Sequence, residues 1–315
     1  MRTLFYGSPA LAVPFLELLA RRSEVAAVLT GPDAPAGRGL RVRPSPVKAR
    51  ALELGLSVLQ PERPGAAAAS LAALKPDLAV AVAYGRLLPP ELLAVPALGS
   101  LNVHFSLLPK YRGAAPVQWS LVRGETRTGV TVFWIEAGLD TGPVFLQRGL
   151  EVGPDEDAGS LFARQTALGL EALGEALDEA AAGRIRREPQ AGEPSLAPRL
   201  RKEDGRLSLA RPARELHNLV RGLRLWPTAY LELAAPAPRH LRVLQTALRD
   251  AHGAATGGTP GSIVRVERGG GILVQCSDCS SLWLLTVQPE GKKPVAAADF
   301  LNGLRLGAGD LLPWT

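Results

Sequence analysis

Two polar side chains, Asn102 and His104, interrupt an apolar run that ends in a proline-containing loop, S-L-N-V-H-F-S-L-L-P. Residues two apart on a strand point to the same face, so the amide and the imidazole would face the same pocket. An amide N–H can donate to a developing oxyanion, and an imidazole can donate to it or shuttle a proton. The pair therefore indicates acyl-transfer chemistry, although a structural histidine beside a strand-end turn would show the same N-x-H pattern.

A carboxylate usually orients or activates such a histidine, and Asp140 in the turn G-L-D-T-G is the best candidate in the sequence. No nucleophile of a familiar kind accompanies them, because G-x-S-x-G is absent and no cysteine lies in the first two hundred residues or so. The P-loop and G-x-G-x-x-G patterns are absent too. These absences argue against hydrolases, NTPases and NAD-dependent dehydrogenases, and they leave direct transfer between two bound substrates.

The elements that would position these residues alternate between strand and helix over the first 110 residues. The apolar runs are RTLFYG, EVAAVLT, DLAVAVAYG and GSLNVHF. Such alternation predicts an α/β fold with a doubly wound, mostly parallel, Rossmann-like sheet, in which ligands bind outside the carboxyl ends of the strands. GVTVFWIEAGLDTGPVFLQRGLEV then predicts two strands joined by a tight turn, and a long helix should cover 158–182.

The last third of the chain has a different character. Residues 184–206 are polar, rich in proline and without an apolar period, which predicts a linker. Short strands separated by glycine-rich turns follow, and they predict a small, OB-like β-barrel closed by a short final helix. The predicted division is a catalytic domain at 1–184, a linker at 185–206 and a C-terminal β-barrel at 207–315.

Composition sets the remaining bounds. The chain has 315 residues, of which 46% are hydrophobic, enough for about two domains. It has no apolar stretch of about 20 residues and its start lacks a signal-peptide pattern, so we expect a cytoplasmic protein without membrane contact. Most of the net charge of +6 falls in the last third, which suits either a polyanionic partner or an ordinary solvated basic face. Cys276 and Cys279 would supply only half of a four-ligand zinc site, so no metal is expected.

The run S-L-N-V-H-F-S-L-L-P, followed by L-D-T-G, resembles the core of the 10-formyltetrahydrofolate-dependent formyltransferases, which carry N-x-H-x-S-L-L-P and a later D-x-G motif. FYGSPALAVPFL, GPDAPAGRGLRVRPSPVK, AVAYGRLLP, RLWPTAYLE and QPEGKKPVAAADFLNG are similar to segments of the members that act on methionyl-tRNA. The resemblance implies direct transfer of a formyl group from 10-formyltetrahydrofolate to the α-amino group of initiator methionyl-tRNA, through a tetrahedral intermediate. Two alternatives stay open: a formyltransferase for glycinamide ribonucleotide or an amino sugar, and a non-catalytic RNA-binding relative.

The resemblance also assigns residues to roles. It implies that Asn102 and His104 stabilise the oxyanion, and that Asp140 keeps the histidine charged and accepts a proton. It implies a folate pocket, although plain core packing would explain its leucines equally well; the pocket would be formed by Ser106, Leu107, Leu108, Pro109, Tyr84, Gly85, Leu87 and Leu88. Phe105 departs from the family pattern, where we expect a small residue or proline. Whether its ring crowds the pocket, lines it or leaves it unchanged is a question that the sequence leaves open.

Basic residues form two groups that the resemblance connects with tRNA. The loop after the second strand carries Arg38 at its predicted tip, with Arg41, Arg43 and Lys48. It would enter the acceptor stem, whereas without the resemblance an ordinary solvated loop is the better reading. Further phosphate contacts are expected from Arg201, Lys202, Arg206, Lys292 and Lys293. We expect a monomer.

Overall fold

The computed structural model describes residues 1–36, 41–233, 239–248 and 258–313. Two compact units make up the chain. The first unit comprises 1–116, 128–150 and 163–198. The second unit comprises 117–127, 151–162 and 199–315.

The elements follow one another in this order along the chain. The strands are β1 (Arg2–Gly7), β2 (Glu24–Leu29), β3 (Ala34–Ala36), β4 (Arg41–Arg43), β5 (Val58–Leu59), β6 (Leu78–Val82), β7 (Ser100–His104), β8 (Arg127–Trp134), β9 (Val144–Glu151), β10 (Tyr230–Leu233), β11 (Arg239–Ala247), β12 (Ile263–Val266), β13 (Ile272–Gln275), β14 (Ser281–Pro289) and β15 (Val295–Ala296). The helices are α1 (Val13–Arg22), α2 (Pro46–Glu53), α3 (Ala68–Ala72), α4 (Pro90–Leu93), α5 (Pro116–Val122), α6 (Ala158–Ala181), α7 (Ala213–Gly222) and α8 (Ala297–Asn302).

The first unit is built on a seven-stranded sheet in the order β5-β2-β1-β6-β7-β8-β9. In this order, the first five strands, β5, β2, β1, β6 and β7, are parallel to one another, and β8 runs antiparallel to β7. The chain order reverses between β1 and β6, which is the switch point where ligands bind in doubly wound sheets. The predicted mostly parallel, Rossmann-like sheet is therefore confirmed.

Local sequence explains the central elements. All five residues of β6, LAVAV, are buried, as expected for a parallel strand covered on both faces. Helix α2 begins at Pro46, and the Ser45 hydroxyl caps it by accepting a hydrogen bond from the Lys48 amide at 3.0 Å. Helix α6 runs over Ala158–Ala181, which confirms the predicted long helix.

Phe105 follows β7 directly and belongs to the core. Its side chain is 5% exposed, and its ring meets that of Phe15 edge-on, with centroids 6.2 Å apart. Alternation along the strand places Val103 and Phe105 on the face opposite Asn102 and His104. Phe105 therefore neither crowds nor lines the face that carries Asn102 and His104, because its ring packs against Phe15 on the other face of the sheet.

The second unit contains one antiparallel sheet in the order β10-β11-β14-β13-β12, with β15 paired to β14. Inward-facing side chains such as Val243, Leu273 and Trp283 are almost fully buried. The predicted short strands and the final helix α8 are present, and the helix α7 precedes them. The predicted two-part fold class is confirmed, with its C-terminal part formed by this antiparallel sheet.

A small hairpin was not predicted. Strands β3 and β4 pair antiparallel, with Ala34 opposite Arg43 and Pro35 opposite Val42. Because proline and arginine occupy these positions, the hairpin lacks the alternation of apolar and polar residues by which a strand is recognised in a sequence. In the described ranges, no helix combines the length and the apolar character that crossing a bilayer requires.

Replacing Phe105 by alanine should lower the free energy of unfolding by about 3–5 kcal/mol, because the substitution leaves a cavity against Phe15. Urea-induced unfolding followed by circular dichroism measures this. Leu52→Ala, at a side chain that is 58% exposed, is the control and should change stability by less than about 0.5 kcal/mol. A Phe105→Ala protein as stable as the control would contradict the core assignment.

Candidate active site

His104 is the last residue of β7, and its side chain is 6% exposed. Its Nε2 lies 2.8 Å from the Tyr111 carbonyl oxygen, and because a carbonyl can only accept, Nε2 carries the hydrogen. The Phe133 ring meets the imidazole edge-on, with centroids 6.3 Å apart. These contacts fix the ring plane and leave Nδ1 as the nitrogen available for chemistry.

Asp140 lies beside that nitrogen. One carboxylate oxygen, Oδ2, is 3.7 Å from His104 Nδ1 and also accepts a hydrogen bond of 2.7 Å from the Gly113 amide. The Asp140 side chain is 16% exposed. The structure thus brings together the histidine and the carboxylate that were paired from sequence, while their catalytic roles stay a prediction.

The loops around this pair are held in uncommon backbone conformations. Ala83, Tyr111 and Asp140 have φ angles of +46°, +61° and +51°, in the left-handed region that side chains disfavour. Such residues cost about 1–3 kcal/mol each and persist where surrounding contacts impose them. Gly113 has φ of +121°, and a Cβ there would lie 2.7 Å from the Ala197 carbonyl oxygen, so only glycine fits.

The environment of His104 sets its protonation state. Burial is the largest influence and lowers the pKa of His104 below its ordinary value. The Asp140 carboxylate and the Tyr111 carbonyl act in the opposite direction without reversing the shift. The resting side chain at neutral pH is accordingly neutral imidazole, with its proton on Nε2 and its lone pair on Nδ1. This differs from the expectation that Asp140 keeps the histidine charged, because burial outweighs the carboxylate.

Asn102 is the third predicted catalytic residue and lies two positions earlier on β7. It is half-buried, and its neighbours in the sheet are Ala81 on β6 and Phe133 on β8. Its side chain makes no hydrogen bond to any part of the chain that the structure describes. The amide is therefore available to a ligand on the same face as the imidazole.

The predicted folate loop is held by side chains that sequence reasoning missed. Ser106 is buried, and its hydroxyl donates to the Lys110 carbonyl at 2.6 Å. Thr131 Oγ1 donates to the Ser106 carbonyl at 2.6 Å and accepts from the Leu108 amide at 3.1 Å. Gln147 Nε2 donates to the Leu108 carbonyl at 2.7 Å and to Thr131 Oγ1 at 3.0 Å. A threonine inside the apolar strand GVTVFW was the available signal.

The residues assigned to the folate pocket differ in how far their side chains are exposed to a ligand. Leu107 is half-buried, whereas Leu108 and Pro109 are buried within the loop. Gly85 is exposed with φ of +77°, and Leu87 is 82% exposed.

Tyr84 and Leu88 pack in the core instead. The Tyr84 ring lies 6.2 Å from that of Tyr6, and burial raises the pKa of Tyr84. Neither phenol oxygen has a hydrogen-bond partner among the described residues. Leu88 is half-buried against the same cluster.

The basic residues that were predicted to contact tRNA differ in whether they already form an ion pair. Arg41 and Arg43 on β4 are exposed, while Lys48 forms an ion pair of 2.7 Å with Asp33. Arg38 lies outside the described residues.

In the second unit, Arg201, Lys202, Lys292 and Lys293 are exposed. Arg206 is exposed as well, and its Nε lies 3.3 Å from a carboxylate oxygen of Glu232.

The cysteines and other soft or acidic ligands form no metal centre in the described ranges, where no group of three or more His, Cys, Asp or Glu side chains converges. Cys276 is buried and Cys279 is exposed, and both are free thiols. Burial raises the pKa of Cys276 to about 12, so this thiol is unreactive at neutral pH.

A buried imidazole with a carboxylate at its free nitrogen, at the carboxyl edge of a doubly wound sheet, is the arrangement of an α/β enzyme that uses acid–base chemistry. Comparison with known families is more specific. The family model described as "Formyl transferase" matches residues 12–177, and "Formyl transferase, C-terminal domain" matches 199–305. The chain belongs to the formyl transferase family, as its resemblance predicted.

Individual relatives match along nearly the whole chain. A methionyl-tRNA formyltransferase of Solibacter usitatus is 46% identical over 316 residues, covering 99% of this chain and 98% of that protein. A methionyl-tRNA formyltransferase of Elusimicrobium minutum is 40% identical over 332 residues, covering 99% of each.

Solved structures share the fold at low identity. HypX from Aquifex aeolicus in complex with tetrahydrofolic acid has a TM-score of 0.64 and 19% identity, covering 99% of this chain and 49% of that one, so the chain spans about half of HypX. An N-formyltransferase from Helicobacter canadensis has a TM-score of 0.66 and 18% identity, covering 91% of this chain and 98% of that one. At these identities the likeness concerns the fold alone.

The pKa of His104, followed by NMR titration, should lie below 6.5, and Asp140→Asn should lower it further, because the substitution removes the carboxylate that favours imidazolium. As pH falls, His104 takes up its proton at a higher pH in the unfolded chain than in the folded protein. The contribution of the neutral imidazole to stability is therefore complete above about pH 6.5, and it is lost as pH falls through the lower pKa of the folded state. Asp178→Asn, at a carboxylate paired with Arg22, should leave the titration unchanged. A rise of the pKa in Asp140→Asn would contradict the assignment.

Proposed function

We propose that this chain transfers the formyl group of 10-formyltetrahydrofolate to the α-amino group of initiator methionyl-tRNA, for translation initiation. The observation that carries the proposal is the His104–Asp140 pair beside the unpaired Asn102 amide, in a chain whose full-length relatives are named methionyl-tRNA formyltransferases. A small-molecule acceptor and a non-catalytic relative, the alternatives open at the level of sequence, gain no comparable support.

His104 moves the proton in this reaction. Its neutral Nδ1 takes the proton that the α-amine must lose as nitrogen bonds to the formyl carbon. The imidazolium formed then faces Asp140 Oδ2, 3.7 Å away, which stabilises its charge. Nδ1 returns the proton to the folate nitrogen when the carbon–nitrogen bond to the donor breaks, so His104 and Asp140 end as they began.

Asn102 stabilises the charge that develops on the formyl oxygen. Its amide shares a strand face with the imidazole, so both can donate to one oxygen, Asn102 throughout and His104 once protonated. A fixed donor at such a position is worth roughly 10²–10³ in kcat.

The folate would bind at the strand ends around this pair. The unpaired amide of Asn102 would bind the formyl group, and the exposed Leu87 offers apolar surface that a bound ring would cover. Residues 106–109 would border the same pocket, with Thr131 and Gln147 holding their backbone in place. The donor supplies the one-carbon unit, and the residues of this chain bind it and move the proton.

The exposed arginines Arg41 and Arg43 suit contact with tRNA phosphates, and with them the predicted tip residue Arg38. The exposed residues Arg201, Lys202, Lys292 and Lys293 would add contacts from the C-terminal part. Lys48 and Arg206 would first have to leave Asp33 and Glu232. Residues 1–184 would act as the catalytic domain and 207–315 as the tRNA-binding domain of a cytoplasmic monomer, with the segments 117–127 and 151–162 belonging to the second compact unit.

The proposal predicts that purified protein formylates methionyl-tRNA with 10-formyltetrahydrofolate as donor. His104→Ala and Asp140→Asn should each lower kcat by about 10²–10⁴-fold without unfolding the protein, because each removes a part of the proton path. The assay follows labelled formyl in charged tRNA, with uncharged tRNA, glycinamide ribonucleotide and an amino-sugar nucleotide as parallel acceptors. Transfer to a small acceptor but not to methionyl-tRNA would overturn the proposal.

Replacing Arg41 and Arg43 by alanine should raise KM for the tRNA and leave KM for the folate unchanged. Each lost phosphate contact should make the slope of log affinity against log salt shallower by roughly 0.7–0.9. Filter binding at several salt concentrations measures this slope. The control is Arg148→Ala, at an exposed arginine paired with Glu175, and an equal effect there would show that the hairpin is not the contact.

A further inference from the structure

Gln190 lies in the segment predicted as a linker, yet it contacts the turn that carries Asp140. Its Nε2 donates to the Asp140 carbonyl at 2.8 Å and to the Gly142 carbonyl at 2.9 Å. One amide group thus satisfies two carbonyls of the turn, on either side of Thr141. These contacts hold the backbone on which Asp140 adopts its left-handed conformation.

The other end of the same amide reaches the loop that holds His104. Gln190 Oε1 accepts from Arg112 Nη2 at 2.6 Å and from Arg112 Nε at 3.2 Å. Arg112 stands between Tyr111, whose carbonyl binds His104 Nε2, and Gly113, whose amide binds Asp140 Oδ2. Gln190 therefore joins two loops, each of which positions one member of the His104–Asp140 pair.

Backbone contacts on both sides fix the place of Gln190. Before it, Glu188 and Val144 exchange both backbone hydrogen bonds, at 2.7 and 2.9 Å. After it, the Arg112 amide donates to the Ser195 carbonyl at 2.8 Å, and the Tyr111 amide donates to Ser195 Oγ at 2.9 Å. The glutamine reaches the turn from a segment anchored at each end, so its amide is preorganised.

We propose that Gln190 is a positioning residue for formyl transfer: it sets the Asp140 turn against the 111–113 loop and so keeps the carboxylate at the free nitrogen of His104. This inference rests on the proposed function for its kinetic consequences and on the hydrogen bonds above for its geometry. The groups that act on His104 are the Asp140 carboxylate and the Tyr111 carbonyl, and Gln190 acts through the loops that carry them.

Two substitutions separate the hydrogen bonds of Gln190 from its packing. Gln190→Leu keeps the approximate size and loses donor and acceptor. Gln190→Glu keeps the length and the partner for Arg112 but places an oxygen against two carbonyl oxygens, so a fold held by the Arg112 contact alone would tolerate it. Both should lower kcat about 10- to 100-fold, because a carboxylate displaced by about 1 Å serves the reaction poorly. Both should leave the two KM values within about threefold, since neither substrate loses a contact.

The matched control is Arg187→Leu, in the same segment. Arg187 donates to the Leu98 carbonyl at 2.9 Å and lies over the Trp134 ring, and among the described residues it makes no hydrogen bond to the Asp140 turn. The Arg187→Leu substitution should loosen the segment that carries Gln190 while leaving kcat unchanged. Equal losses of kcat in Arg187→Leu and Gln190→Leu would show that Gln190 matters only for anchoring the segment, and the proposal would fail.

Titration of His104 provides a readout that needs no activity. Gln190→Leu should lower the pKa of His104 and shift the acidic limb of kcat in the same direction as Asp140→Asn, because the carboxylate moves away from the ring. In an Asp140→Asn background, Gln190→Leu should add little to either effect. A wild-type protein that transfers no formyl group to methionyl-tRNA would refute the proposed function alone, whereas an unchanged His104 titration in both Gln190 variants would refute the positioning role alone.

Discussion

The hydrogen bond from His104 Nε2 to the Tyr111 carbonyl is the interaction on which the rest of the site depends. It decides which ring nitrogen carries the proton, and hence that Nδ1 faces Asp140 with its lone pair free. It requires the chain to turn back over the end of β7 within seven residues, with Tyr111 in the left-handed region. Burial then keeps the imidazole neutral at rest, while the Asp140 carboxylate and the Tyr111 carbonyl partly oppose that effect on the pKa of His104.

Such a geometry needs support that a single loop cannot give. The 106–109 loop is held by Thr131 and Gln147, whose hydroxyl and amide donate hydrogen bonds to backbone carbonyls of the loop. The 111–113 loop is held by the segment through Ser195 and Ala197, where Gly113 permits an approach that a Cβ would block. The Asp140 turn is held by Gln190. Residues distant in sequence thus impose the unfavourable φ angles at Tyr111 and Asp140, consistent with strain at functional sites being balanced by the surrounding structure.

Charge contributes differently in the two parts of the molecule. At His104 and Asp140 the charged groups are few and lie within about 4 Å of each other, so their effect depends on geometry and burial. On the hairpin and in the second unit they are exposed and spread out, which suits phosphate contacts that salt weakens and that position a nucleic acid without reading its bases. Lys48 and Arg206 show that a basic residue in the sequence can already be neutralised within the fold.

The sequence by itself determined the fold class, because alternating strand and helix patterns and short C-terminal strands are local signals. It also determined that Asn102 and His104 share a face, since a strand has a period of two, and it singled out Asp140 by residue type and motif. Only the tertiary structure decided that Asp140 Oδ2 meets His104 Nδ1, that Phe105 packs against Phe15, and that Gln190 joins two loops. The physical reason is that these contacts join segments far apart in the chain, where no local periodicity specifies which atoms meet.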